Sequence, residues 1–260
     1  MTILEQLAKH AAERTKKAKQ QVSPDEIRQR ALSLPKGTFA FETALKTADI
    51  SFICECKKAS PSKGLIAPDF PYLQIAKDYE AAGADCISVL TEPKWFLGSD
   101  EYLREIAQNI TVPCLRKDFT VEPYMIYEAK LLGAAAVLLI CSILDEKQIK
   151  TYLDICDELG LSALVEAHDE TEVRMALNAG ARVIGVNNRN LKDFSVDTEN
   201  SRRLRELIPK DVLFVSESGV SSAQDVERLR ELSADAVLVG ETLMRAADKK
   251  AKLTELRGMR

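Results

Sequence analysis

The feature that most constrains this chain is an alternation that begins near residue 50 and persists to the C-terminal region. Short runs rich in Val, Ile and Leu lie at 50–57, 85–90, 113–119, 135–141, 162–168, 182–188, 212–218 and 235–241, and helix-like stretches follow them. Inside the runs apolar residues do not alternate cleanly with polar ones, as AAVLLIC (135–141) shows. That is the pattern of strands buried on both faces, which a parallel sheet requires. Small-residue turns precede every other run: Ala82-Gly83-Ala84, Leu132-Gly133-Ala134, Ala179-Gly180-Ala181 and Leu232-Ser233-Ala234. Their spacing of about 50 residues marks two βα units at a time. Eight βα units in about 210 residues predict an α/β chain closed into a (β/α)8 TIM barrel. An open doubly wound sheet is the alternative, but no G-x-G-x-x-G fingerprint follows the first run.

Ahead of the alternation, residues 1–45 read as a helical N-terminal extension of a single barrel domain spanning 1–260. Ile3, Leu4, Leu7, Ala8 and Ala11 form an apolar stripe, and Arg14, Lys16, Lys17 and Lys19 a basic stretch. A second helix should start at Ser23-Pro24-Asp25-Glu26, with Ser23 as cap and Pro24 in the first position, and stop before Pro35-Lys36-Gly37. The first helix is expected to cover the barrel mouth, though its stripe could also plug the bottom. No second barrel is expected after residue 260.

Composition removes several classes of function. The formal net charge is −4, with 46% apolar and 29% charged residues, so no basic footprint for nucleic acid is present. The longest uncharged stretch, 131–144, is too short for a membrane-spanning helix of about 20 residues. The N-terminus has no apolar signal-peptide core, and Glu5 and Glu13 weaken a transit-peptide reading. Cys54, Cys56, Cys86, Cys114, Cys141 and Cys156 are scattered mostly within apolar runs, as reduced thiols of a cytoplasmic core are. With two His in the chain and no ligand spacing, no metal is expected.

In such a barrel, polar residues at the C-terminal strand ends face the mouth, where core packing does not ask for them. Here the runs end in Glu55 and Lys57, Lys117 and Asp118, Glu166 and His168, Asn187, Asn188 and Arg189, Glu217 and Ser218, and Gly240 and Glu241. Strand alternation sets Glu55 and Lys57 on one face and Cys54 and Cys56 on the other. Buried charges of this kind are costly unless they pair or serve a ligand. Three carboxylates and two lysines converging on one cavity suit acid–base chemistry. Ser218-Gly219 and Gly240 follow the last two strands, where these barrels recurrently hold phosphate on backbone amides at a helix start.

Several motifs together carry a resemblance. They are Glu55-Cys56-Lys57-Lys58-Ala59-Ser60-Pro61-Ser62-Lys63-Gly64, Leu90-Thr91-Glu92 with Phe96 and Gly98-Ser99, and Lys117-Asp118-Phe119. Val165-Glu166, Ile184-Gly185-Val186-Asn187-Asn188-Arg189, Ser216-Glu217-Ser218-Gly219 and Val239-Gly240 follow in order. The chain resembles the indole-3-glycerol phosphate synthases from its N-terminal helix to about residue 245. The resemblance implies a cofactor-free carboxy-lyase of tryptophan biosynthesis. Such an enzyme converts 1-(2-carboxyphenylamino)-1-deoxyribulose 5-phosphate to indole-3-glycerol phosphate, CO2 and water. It implies Lys117 as general acid, Glu166 as base, and Glu55 and Asn187 as positioning groups. Lys57 would contact an anionic end of the substrate and is a second candidate proton donor. Glu217 and Ser218 would bind substrate, Gly219, Gly240 and the backbone of Glu241 would hold phosphate, and Arg189 and Ser60 would add anion contacts.

The chemistry fits these residue types. An aromatic carbon attacks a ketone whose oxygen a nearby ammonium can protonate. Loss of CO2 asks for apolar walls, for which Phe96, Phe119, Leu138 and Leu191 are placed. Lys117, between Leu115 and Phe119 on one strand face, is expected to hold its proton weakly, since burial disfavours the ammonium. His10 and His168 have no partner motif and are read as bland. The competing readings are another phosphate-binding barrel, such as phosphoribosylanthranilate isomerase, or a non-catalytic sugar-phosphate-binding barrel. The first lacks the helical extension; the second would have lost Lys117 or Glu166. A monomeric cytoplasmic enzyme acting on a phosphorylated small molecule is the expectation.

Overall fold

The computed structural model describes residues 2–190 and 193–258. Three helices precede the sheet: α1 (Ile3–Gln21), α2 (Pro24–Ser33) and α3 (Ala40–Leu45). Their starts follow local chemistry. Thr2 and Glu5 form a reciprocal capping box on α1, and Ser23 accepts the Glu26 amide with Pro24 in the first turn of α2. The chain then runs β1 (Ser51–Cys56), a short hairpin of β2 (Ala59–Ser60) and β3 (Gly64–Leu65), α4 (Tyr72–Ala81), β4 (Cys86–Leu90), α5 (Asp100–Asn109) and β5 (Cys114–Lys117). It continues with α6 (Pro123–Leu131), β6 (Ala136–Ile140), a 3-10 turn at Cys141–Ile143, α7 (Glu146–Leu159), β7 (Ser162–Ala167) and α8 (Glu170–Ala179). The last elements are β8 (Val183–Asn187), α9 (Glu199–Arg205), β9 (Leu213–Glu217), α10 (Ala223–Glu231), β10 (Ala236–Val239), α11 (Glu241–Arg245) and α12 (Lys249–Arg257).

Eight parallel strands close in the order β1-β10-β9-β8-β7-β6-β5-β4, which is the (β/α)8 barrel the alternation predicts. Each of the eight runs becomes one barrel strand. Two apolar layers result. Phe52, Cys54, Cys56, Val89, Val137 and Val165 face outward into the shell of helices, whereas Ile53, Leu115, Leu138, Leu164, Val215 and Leu238 fill the interior. All six cysteines are buried free thiols, so strand packing accounts for them.

The two ends of the barrel are closed by different parts of the extension. Phe41 and Leu45 of α3 join the interior apolar cluster from below. The Glu42 amide bonds Ser162 Oγ at the start of β7, and Arg182, just before β8, clamps the Glu42 carboxylate at 3.0 Å. The segment leading into α3 lies against the end of α7, where the Gly37 amide donates to Leu159 O at 2.9 Å. At Gly160 (φ +68) a Cβ would collide with the Gly37 backbone, so this approach needs glycine.

At the other end, α1 lies across the mouth, as expected, with Leu7 and Ala11 packed into the cluster that holds Phe119 and Met125. Three polar contacts fasten it. Arg14 reaches Asp118 at 2.7 Å, His10 Nδ1 reaches Glu92 Oε1 at 2.9 Å, and Lys19 pairs with Glu122. Asp118 is buried beside Arg116, whose guanidinium also holds Asp100 and Glu128 at 2.7 Å each. The outward face of β5 is thereby tied to α1 while its inward face carries Lys117. Among the described residues no helix is long and apolar enough to cross a membrane.

Candidate active site

The barrel mouth holds a cavity of about 430 Å³. Every residue given a catalytic, substrate or phosphate role from the sequence lines it except Leu191, which lies outside the described residues; of the other strand ends, Asn188 and His168 do not line it. The lining therefore includes Glu55, Lys57, Ser60, Phe96, Lys117, Phe119, Leu138, Glu166, Asn187, Arg189, Glu217, Ser218, Gly219, Gly240 and Glu241. Ile3, Leu4 and Leu7 of α1 complete the wall. Their part in covering the mouth follows from the apolar stripe; which of them reach the cavity depends on how α1 docks.

The floor is a network of charges from four strands. Lys117 Nζ at the end of β5 lies 3.1 Å from Glu166 Oε2 of β7 and 3.5 Å from Glu217 Oε2 of β9. Lys57 Nζ, one residue past β1, pairs with Glu55 Oε1 at 2.5 Å. Asn187 at the end of β8 donates to Glu166 Oε1 at 3.2 Å and accepts from Ser218 Oγ at 3.0 Å. It thus ties the carboxylate to the loop after β9. Gly185 makes room for this floor: a Cβ there would fall onto Glu217 Oε1 and lie 3.1 Å from Leu164 Cδ1.

These contacts separate the proton affinities of the groups. Burial opposes the charge of Lys117, but Glu166, Glu217 and Glu55 outweigh it and hold the ammonium above the ordinary lysine value. The weakly held proton expected from its apolar strand neighbours is therefore corrected. The groups that decide it come from strands across the barrel. Burial also resists ionisation of Glu166, yet Lys117, His168 and the Asn187 amide keep its pKa below normal. Glu217 goes the other way: burial, with Glu166 and Glu55 nearby, pushes it up to about 8 against the pull of Lys117. Around Lys117 the floor thus sets an ammonium and a carboxyl that favours its proton beside a carboxylate that favours its charge. Two donors and one acceptor face one space.

The upper rim has a different character. Ser218 (φ 67) and Gly219 (φ 96) both adopt positive φ in the loop after β9, and both line the cavity. Helix α10 does not begin at this loop; Ser222 caps it and forms a box with Asp225, so its first amides are already engaged. By contrast, Gly240 stands at the N-cap of α11 with no side-chain cap. A Cβ at Gly240 would lie 2.7 Å from Lys57 Nζ and onto the Glu55 carboxylate. The Glu241 side chain turns to Arg245 at 3.0 Å and Lys63 at 3.6 Å. Arg189 donates to Phe194 O at 3.0 Å while lining the cavity.

Neither histidine is as bland as its sequence context suggests. His10 meets Glu92, a fully buried carboxylate that also accepts the amides of Lys94, Trp95 and Phe96 and so shapes the loop after β4. His168 Nε2 lies 3.4 Å from Glu166 Oε1, and its Nδ1 lies 3.1 Å from Glu172. For His168 the available signal was its position, two residues after Glu166 and so on the same strand face.

A family profile described as indole-3-glycerol phosphate synthase matches residues 4–256. The chain is 58% identical to the indole-3-glycerol phosphate synthase of Ruminiclostridium cellulolyticum, covering 98% of this chain and 99% of that one. It is 53% identical to the protein of the same name from Lachnoclostridium phytofermentans, covering 87% and 84%. Among solved structures it is similar to 3-hexulose-6-phosphate synthase from Salmonella typhimurium, with a TM-score of 0.65 at 16% identity, covering 80% of this chain and 97% of that one. A mutant tryptophan synthase α-subunit from Pyrococcus furiosus gives 0.62 at 17% identity, covering 81% and 99%. At such identities these two likenesses speak for the barrel alone. The profile and the full-length relatives reach further, and with them the chain belongs to the indole-3-glycerol phosphate synthase family.

Proposed function

We propose that the protein converts 1-(2-carboxyphenylamino)-1-deoxyribulose 5-phosphate to indole-3-glycerol phosphate, with release of CO2 and water, as a carboxy-lyase of tryptophan biosynthesis. The observation that carries this reading is the Lys117–Glu166 pair, 3.1 Å apart on the floor of a cavity with apolar walls and an amide-lined rim. Lys117 is the general acid that protonates the ketone oxygen as the aromatic carbon attacks. Glu166 is the base that recovers a proton from the substrate after decarboxylation. Glu55 and Asn187 hold these groups in place, and Lys57 anchors a substrate anion.

The phosphate is held by amides of Gly219, Gly240 and Glu241, with Arg189 and Ser60 beside it. Its charge suits the uncapped start of α11. Glu217 and Ser218 hydrogen-bond the sugar hydroxyls. Phe96, Phe119 and Leu138 flank the anthranilate ring and favour departure of neutral CO2; Leu191 is assigned the same part from the sequence alone. No metal or organic cofactor takes part in this scheme. We further propose that the whole chain acts as one domain, as a monomer in the cytoplasm.

Indole fluorescence tests the reading. Purified protein mixed with the substrate should develop it with release of one CO2 per indole formed. Absence of both products would overturn the assignment.

A further inference from the structure

His168 joins the catalytic floor to the protein surface. Its Nε2 is buried, lies 3.4 Å from Glu166 Oε1 and has no hydrogen-bond partner among the described residues. Its Nδ1 faces outward, 3.1 Å from Glu172 Oε2 on α8 and 3.2 Å from Ser142 Oγ in the 3-10 turn after β6. Ser142 also donates to Glu172, and the Glu172 carboxylate accepts the His168 amide at 2.7 Å. From α9, Asn200 fixes the backbone by donating to His168 O at 3.1 Å. Glu217 on β9 adds a further carboxyl on the inner side. Glu166 is 2% exposed, whereas Ser142 is exposed. One imidazole nitrogen thus faces the buried base and the other faces groups at the surface.

The proposed reaction gives such a link a task. The ketone oxygen receives two protons before it leaves as water, and the base recovers one from the methylene carbon bound to nitrogen. When the aryl–carboxylate bond breaks, its electron pair stays with the ring and CO2 departs. With the carboxylate ionised, one proton per turnover must come from solvent. Substrate then fills the mouth above Glu166, which closes the direct route.

We propose that His168 is the proton relay that supplies this proton, passing it from the Glu172–Ser142 side to Glu166 and so to Lys117. A proton taken up at Nδ1 gives the imidazolium. Breaking the Nε2–H bond then forms the O–H bond on Glu166, and a turn of the ring brings the deprotonated nitrogen to the outer side, where it takes up the next proton. Burial disfavours the imidazolium, but Glu172, Glu166 and Glu217 outweigh it and hold His168 above the ordinary histidine value, which favours the loaded form of the relay.

The relay rests on the proposed synthase activity, so its test has one arm that needs no turnover. The chain has two histidines, and His10→Gln identifies the His168 ring resonances by NMR. In the unliganded protein His168 should titrate above an ordinary histidine, and Glu166→Gln should move it down. No change with Glu166→Gln would overturn the coupling, whatever the enzyme does. In the kinetic arm, His168→Gln should lower kcat about tenfold, less than loss of the acid or base itself, and leave KM within twofold. In the wild type kcat should fall at alkaline pH as His168 loses its proton; the variant should lose that limb. An unchanged kcat and pH profile, or an effect on KM alone, would overturn the relay while leaving the synthase reading intact. A wild-type protein without indole formation would overturn the synthase reading, with the NMR arm still deciding the coupling.

Discussion

Lys117 Nζ sits 3.1 Å from Glu166 Oε2, so the proposed acid and the proposed base of one reaction form an ion pair in the empty enzyme. The pairing favours the charged form of both Lys117 and Glu166, which suits their separate tasks. It also means that substrate must enter between or beside them and replace part of their mutual attraction.

Glu217 makes the unliganded fold sensitive to pH. Its pKa rises from the usual 4.5 to about 8 on folding. A carboxyl raised in this way contributes its full stabilisation below the unfolded value and loses it as pH climbs through the folded one. From this group, stability should therefore decline between about pH 4.5 and 8. Glu217→Gln should flatten the decline and raise Tm at pH 8 to 9 relative to wild type. Parallel Tm curves over that range would show that Glu217 ionises normally.

The eight strands were legible because burial on both faces leaves continuous apolar runs, and their polar ends named the charged floor of the cavity. Less visible was whatever depends on partners from distant elements. Lys117 has apolar neighbours along β5, yet its charge is decided by Glu166 on β7 and Glu217 on β9. His168 and Glu92 carry no local motif; their roles appear only when Glu172, Glu166 and the loop after β4 come together. The Phe41–Leu45 plug is one short turn of helix with no periodicity to betray it.

Gly185 should resist even a methyl group. Gly185→Ala forces Glu217 Oε1 away from its place and crowds Leu164. Overpacking of this kind costs about 1–3 kcal/mol. We expect a modest fall in Tm and a loss of kcat of more than about tenfold, the displaced carboxyl being part of the floor. Wild-type kcat in a folded Gly185→Ala protein would mean that the Glu217 position is irrelevant to turnover.

The mouth-facing stripe of α1 should affect binding more than folding. Leu4 is half-buried, lines the cavity and packs only against the margin of the interior cluster. Leu4→Ala should forfeit about 1 kcal/mol of apolar contact with bound substrate, part of the ~1.5–3 kcal/mol for a fully buried leucine. That corresponds to about a fivefold rise in KM at unchanged kcat. Steady-state kinetics beside a melting curve separates this from a purely structural role, which would lower Tm and spare KM.

Lys57 is expected to act chiefly through binding. It pairs with Glu55 at 2.5 Å and borders Gly240 on the phosphate side, where an ammonium meets an anion before any proton moves. Lys57→Met should raise KM by about tenfold or more, in keeping with ~1.5–3 kcal/mol for a hydrogen bond to a charged group, and lower kcat less. A fall confined to kcat would transfer the proton-donor role to Lys57.

The central claim is that Lys117 delivers the proton of ring closure. Lys117→Met roughly keeps the side-chain volume and removes the proton, and single-turnover mixing with saturating enzyme isolates ring closure from product release. The account predicts that the closure rate falls by about 10² to 10⁴, the usual worth of a general acid, while substrate affinity changes less than about tenfold. Closure within tenfold of wild type would contradict it.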